Sequence, residues 1–218
     1  MMYLSGVICF LLILTVEARV GNSSYFCHET EECLYFDRIC GNEDYEVRRY
    51  DSVQWVSTDE ECYFMEFAAW KAFHRLHDYI KGENEEGIKM EMTSPVVIQV
   101  MKTSFWRPNK YTISFLLPSE YQEYPPEPTQ TDPLVYIQRT PEMYVYVKSY
   151  GGWATTIMDK IKSYFLSCDL DKQHADYVET IHYSACYNSP MTILNRHNEV
   201  WMEALGNPAC GHEEMSFY

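Results

Sequence analysis

The chain has 218 residues, 17 basic against 32 acidic side chains, and a formal charge of −15. That balance excludes the basic footprint that phosphate backbones require, so no nucleic-acid partner is expected. A hydrophobic share of 46% with 16% aromatic residues excludes a disordered chain and suffices for one domain with a substantial core.

The first element is a processing signal. Residues 7–16 form an apolar run too short to span a bilayer comfortably, and Val16-Glu17-Ala18 places small residues where a signal peptidase needs them. Cleavage after Ala18 is predicted, so residues 1–18 are read as a signal peptide and the protein as secreted. The alternative is an uncleaved anchor that keeps the chain in the secretory pathway. No later segment is apolar and long enough to span a membrane, so no stable span is expected after cleavage.

Residues 19–44 read as a Cys-rich N-terminal extension, with a glycosylation sequon at Asn22-Ser23-Ser24. Cys27, Cys33, Cys40, Cys62, Cys168, Cys186 and Cys210 remain after cleavage. They are disulfide candidates, since a cytosolic domain of this size rarely carries so many. Their expected task is stapling both chain ends onto the domain. Their spacing matches no zinc pattern, and the odd number leaves at least one thiol free or paired between chains. Connectivity stays open.

The domain proper spans residues 45–204. Alternation at Val47, Arg49, Val53, Trp55 and Ser57 predicts a strand pair around Asp51-Ser52. Asp59-Glu60-Glu61 predicts a helix start, and the helix runs over 62–80. On a wheel, Met65, Ala68, Ala69, Ala72, Phe73, Leu76 and Ile80 share one arc, the expected sheet-facing stripe. Residues 88–92 alternate as a strand, Thr93-Ser94-Pro95 interrupts, and 96–101 with 111–116 form a hairpin. Five prolines between 118 and 133 mark a linker.

A second copy then begins at Val135. Its strand ends at Gly151-Gly152, a helix covers 153–167, and strands cover 177–187 and 199–204 around Ser189-Pro190. Residues 205–218 are a tail. The block from Val47 returns at Ile137, 90 residues on, and Ser94-Pro95 returns as Ser189-Pro190, 95 residues on. A half-domain present twice predicts a pseudo-twofold α+β fold of duplicated βαββ units, with a ligand groove where the halves meet. The paired Ser-Pro segments are expected to kink symmetric strands.

Several spaced motifs resemble the SOUL/heme-binding protein family. They are Tyr45-Glu46-Val47-Arg48-Arg49-Tyr50, the run from Asn84-Glu85-Glu86-Gly87 to Ser94-Pro95-Val96, Tyr187-Asn188-Ser189-Pro190-Met191, and Asn198-Glu199-Val200-Trp201. The resemblance implies a distorted antiparallel, barrel-like sheet flanked by two helices. It also implies non-catalytic, non-covalent binding of heme or another tetrapyrrole. One branch of the family carries a histidine before the second tyrosine of the opening motif, as an axial ligand. Arg49 stands there instead, which removes ligation and leaves a guanidinium for a propionate.

Four residues form a second stripe on the first helix: Phe67, Trp70, His74 and His77. Two aromatics with two imidazoles suit a flat apolar disc with a central iron, and His74 is the candidate iron ligand. Lys71 and Arg75 sit beside them for propionates. The bland reading packs the aromatics under the extension and leaves the histidines to water. Met90 and Met92 read as core, and the second helix, with Ile157 and Ile161, reads as scaffold. Any ligand is therefore expected against the first half. No nucleophile elbow, HExxH or phosphate loop is present, so no enzyme is expected. The competing function is an extracellular interaction protein that keeps the fold without heme.

Overall fold

The structure is a computed structural model that describes residues 20–21, 27–104, 106–208 and 210. The predicted cleavage after Ala18 and the Asn22 sequon lie outside the described residues. The strands are β1 (Val20–Gly21), β2 (Cys33–Leu34), β3 (Asp37–Gly41), β4 (Glu46–Tyr50) and β5 (Val53–Cys62), followed by helix α1 (Met65–Ile80). Then come β6 (Val96–Met101), β7 (Asn109–Leu116), β8 (Val135–Thr140) and β9 (Met143–Tyr150). Helix α2 (Thr156–Lys172), β10 (Ile181–Cys186) and β11 (Asn198–Glu203) complete the order.

One antiparallel sheet holds nine strands in the order β3-β4-β9-β11-β10-β6-β7-β5-β8, open at both ends rather than closed into a barrel. Without β3 the order is symmetric about the β10–β6 seam, so the pseudo-dyad runs through that pair. Each half lends its opening strand to the other: β4 pairs with β9, and β8 with β5. The halves are therefore interlocked. Neither half pairs its own opening strand.

Helix α1 forms as its apolar arc dictates. Met65, Ala68, Ala72, Leu76, Tyr79 and Ile80 are buried against the sheet, over Ile98, Ile113 and Phe115. Its start differs from the expectation: β5 extends to Cys62, and the acids at 59–61 belong to the strand end. There Asp59 pairs with Lys110 and Glu60 with Arg75. The first helical N–H is capped from the other helix, since Met65 N donates to Thr156 Oγ1 at 2.7 Å. Glu66 returns the contact by accepting from the backbone N–H and hydroxyl of Thr156. The two helix N-termini are thus stitched to each other. Gly82, at φ +111°, turns the chain out of α1 in a conformation that a side chain would strain.

Residues 88–92 are not a strand. Asn84 organises this loop, donating from Nδ2 to the carbonyls of Tyr79 and Ile88 and accepting from Ile88 N. Met90 is buried and Met92 packs on the same core, as expected. The Ser-Pro segments are also not structural equivalents. Ser94-Pro95 precedes β6, whereas Ser189-Pro190 follows β10, on the connection to β11. Because β6 and β10 are antiparallel, with Val96 opposite Cys186, the two segments meet at one end of the sheet.

The extension binds that end. Its main chain pairs with Ser94, and Glu32 accepts from Ser119 N and Oγ. Glu29 accepts from Ser189 N, Asn188 Nδ2 and Thr192 Oγ1. Cys27–Cys33 closes this loop, and Cys40–Cys210 joins β3 to the tail across 170 residues of sequence. Cys62, Cys168 and Cys186 are unpaired thiols.

Candidate functional site

A groove of about 730 Å³ opens between the joined helix N-termini and the β6–β7 hairpin, within the size range of small-molecule sites. Its floor is one row of the sheet. His182 on β10 lies opposite Val100 on β6, which lies opposite Tyr111 on β7, and all three line the groove. The row crosses the pseudo-dyad seam, so both halves build the floor. Tyr63, Phe64 and Tyr164 add aromatic surface, while Lys102, Arg107 and Lys160 bring cations to the lining.

Within this lining is a buried polar pair. Asp159 and His182 are each 3% exposed, and Nε2 of His182 lies 2.8 Å from Asp159 Oδ2. Asp159 Oδ1 and His182 Nδ1 have no hydrogen-bond partner among the described residues. Burying polar atoms without partners is costly, and such atoms concentrate where function demands them. The Tyr111 hydroxyl shares this setting: burial pushes its pKa up and the Asp159 charge adds to the rise, while the bond from Asn109 opposes it.

Helix α2 accounts for the pair. Its buried positions are Thr156, Asp159, Ser163, Leu166 and Leu170, a helical stripe whose first three members are polar. The helix is inverted over its N-terminal turns, with polar side chains inward and Ile157 and Ile161 exposed at 70% and 40%. The groove therefore draws on α2 as well as on the first half, where the sequence reading made α2 a scaffold and expected any ligand against the first half. Spacing Thr156, Asp159 and Ser163 at i, i+3 and i+7 was the available signal.

The residues singled out on the first helix lie outside the groove lining. Phe67 and Trp70 stand 59% and 65% exposed on the outer face of α1. His74 is exposed, its ring tilted at 55° to that of Trp70 with centroids 4.6 Å apart and its Nδ1 2.8 Å from the Trp70 carbonyl. His77 stacks on Phe73, which packs on Phe115. Lys71 is exposed, 3.9 Å from Glu60, and Arg75 is held by Thr58, Glu60 and Asp132. The stripe adjoins the groove through Phe64, whose ring meets Phe67 edge-on at 5.9 Å.

Arg49 is engaged by three carboxylates, Asp37, Asp51 and Glu142. Strand alternation turns its neighbour Arg48 inward instead, to Glu199 at 2.9 Å. Glu199 is fully buried and also takes bonds from His197, Tyr187 and Trp201. Burial alone would raise its pKa, but the Arg48 charge and these donors hold it below the usual carboxylate value.

A duplicated α+β sheet with an aromatic- and cation-lined groove on its pseudo-dyad defines a ligand-binding fold. The chain belongs to the SOUL heme-binding protein family, which matches residues 31–203. It is 36% identical over 170 residues to heme-binding protein 2 of Homo sapiens, covering 78% of this chain and 82% of that one. It is 33% identical over 165 residues to heme-binding protein 1 of Xenopus tropicalis, covering 72% and 82%. The C-terminal domain of EcmrR superposes with a TM-score of 0.50 at 7% identity, over 74% of this chain and 98% of that one, which shows a shared fold.

Proposed function

We propose that the chain binds heme or a related tetrapyrrole without transforming it, in the groove on the pseudo-dyad. One observation carries the reading: a cavity of about 730 Å³ offers both apolar rings and cations. A bound heme supplies a flat apolar disc, two carboxylates and a Lewis-acidic iron. Tyr63, Phe64 and Tyr164 suit the disc, and Lys102, Arg107 and Lys160 suit the carboxylates. Family membership supports the same ligand class. Titration of the mature protein with hemin should change the Soret absorbance at micromolar concentration. Replacing Lys102, Arg107 and Lys160 together by glutamate should weaken binding by at least about tenfold. An unchanged spectrum for the unmodified protein defeats the reading.

Secretion belongs to the same proposal. The apolar run at 7–16 and two disulfides support it. Protein recovered from culture medium should begin at Arg19 and lose a glycan on Asn22→Gln. A second reading, an extracellular interaction protein without heme, is favoured by the exposed face of Ile157, Tyr164 and Phe165 on α2. Failure of the hemin titration would leave that reading standing.

A further inference from the structure

We propose that the mouth of the groove docks on a lipid bilayer carrying anionic headgroups. The inference goes beyond the ligand reading and does not depend on which molecule the groove takes. Three segments bring exposed rings to the mouth. Tyr63 and Phe64 precede α1, Tyr164 belongs to α2, and all three line the groove while more than half exposed. Phe67 meets the Phe64 ring edge-on, and Phe165 lies beside Tyr164 with centroids 6.1 Å apart. The β6–β7 loop adds Trp106, 83% exposed, whose carbonyl oxygen is 3.5 Å from the Tyr63 hydroxyl. Large rings gathered in this way mark a surface that is covered in use.

Charge identifies the cover. The chain as a whole carries −15, yet the groove lining holds Lys102, Arg107 and Lys160 against one carboxylate, Asp159. The three cations are exposed and enter no ion pair among the described residues. Asp159 is turned to His182, and the acids around the helix starts are committed elsewhere: Asp59 to Lys110, Glu60 to Arg75 and Glu66 to Thr156. Charges more than about 8–10 Å away are largely screened at physiological salt, so the mouth acts as a local cationic site on an acidic protein.

Trp, Tyr and Phe set among Lys and Arg are what hold a protein at headgroup level: the rings enter the interface and the cations meet lipid phosphates. These side chains border a concavity, whose outline a fluid surface can follow. A second copy docked on the same face would set the cations against their own counterparts. The opposite end of the sheet gives the contrast. Met191, Ile193 and Leu194 stand exposed on the β10–β11 connection, but Glu29 is bonded into that loop, and its arginine, Arg196, is buried and stacks on Trp153 at 4.4 Å. That loop is as apolar as the mouth and has no cation to offer.

The experiment mixes the full mature chain, without added heme, with vesicles of phosphatidylcholine alone or of phosphatidylcholine with phosphatidylserine. Flotation reads binding, and quenching of tryptophan fluorescence by brominated acyl chains reads insertion. Wild type should float with the phosphatidylserine vesicles and be quenched, and both signals should fall as salt rises. Trp106→Ser with Phe67→Ser should weaken vesicle binding by at least about tenfold. Lys102→Gln and Lys160→Gln should each weaken it by roughly fivefold. Met191→Ser, Ile193→Ser and Leu194→Ser together should leave it unchanged, and circular dichroism reports the folding of every variant.

Absence of binding to either vesicle overturns the proposal, and so does binding indifferent to phosphatidylserine and salt. Loss of binding in the folded 191–194 variant moves the contact to the other end of the sheet and overturns it as well. A concentration-dependent dimer that Trp106→Ser abolishes, without vesicle binding, gives the face to a second copy and has the same result. The hemin titration is read separately, so failure of the docking proposal and failure of the groove reading are distinguishable.

Discussion

Glu199 and Asp159 are both buried acids with a histidine nitrogen at 2.8 Å, yet they differ in how completely they are bonded. Both oxygens of Glu199 are satisfied, by Arg48 and His197 on one and Tyr187 and Trp201 on the other. Among the described residues, Asp159 has one oxygen satisfied, and its histidine has one nitrogen without a partner. A saturated cluster fixes a fold; a half-satisfied one beside a groove has bonding capacity left for a ligand. Location agrees with bonding. Glu199 ties β11 to β4, across the two halves, whereas Asp159 lies in the lining of the groove they share.

The largest effect should come from breaking the saturated cluster. Glu199→Gln removes the buried counter-charge of Arg48, leaving it the partly exposed Glu46 at 2.7 Å, and should cost about 3 kcal/mol in urea unfolding. The same residue gives a pH test. Its folded pKa lies below the ordinary value, so its contribution is whole above the unfolded pKa and fades as pH falls through the folded one. Stability measured from pH 6 down to pH 3 should drop in wild type and fall less steeply in Glu199→Gln. Equal slopes would show that the charge carries no linkage.

Next in size, Asp159→Leu alone strands the N–H of His182 and should cost about 1–3 kcal/mol. The smallest effect should be the most telling. Asp159→Leu with His182→Leu removes both partners and should lie within about 1 kcal/mol of wild type, on either side. A double variant as damaged as a Glu199 variant would place the Asp159–His182 pair with the structural clusters.

Much of this architecture could be read from the chain. Two halves, two helices, the 96–101 hairpin arm and the α1 core stripe follow from periodicity, because burial on one face leaves a period of 3.6 or 2. The swapped opening strands could not be read, since pairing β4 with β9 is a long-range choice that local alternation does not encode. The acids at 59–61 misled because Asp and Glu suit a helix start and equally a strand end beside cations, here Lys110 on β7 and Arg75 on α1. The lining of the groove was not read from the sequence for one reason. Aromatic residues at helical spacing drew attention to Phe67 and Trp70, which the fold leaves outside. The polar stripe of α2 looked ordinary until tertiary contacts turned it inward. Arg48 and Arg49 show the same limit: alternation says that one faces inward, and only Glu199 decides which.

The bond from Cys40 to Cys210 has a mechanical meaning. With 170 residues of separation, it closes residues 40–210 into one covalent ring. A force applied at the two ends would work on the chain before Cys40, the Cys27–Cys33 loop and the start of β3 included, and would cross from Cys40 to Cys210 through the sulfurs, leaving β4 to β11 and the groove unloaded. Only a reductant would release the hidden contour, roughly 600 Å at about 3.6 Å per residue. In an oxidising setting the ligand groove is therefore shielded from tension on either terminus.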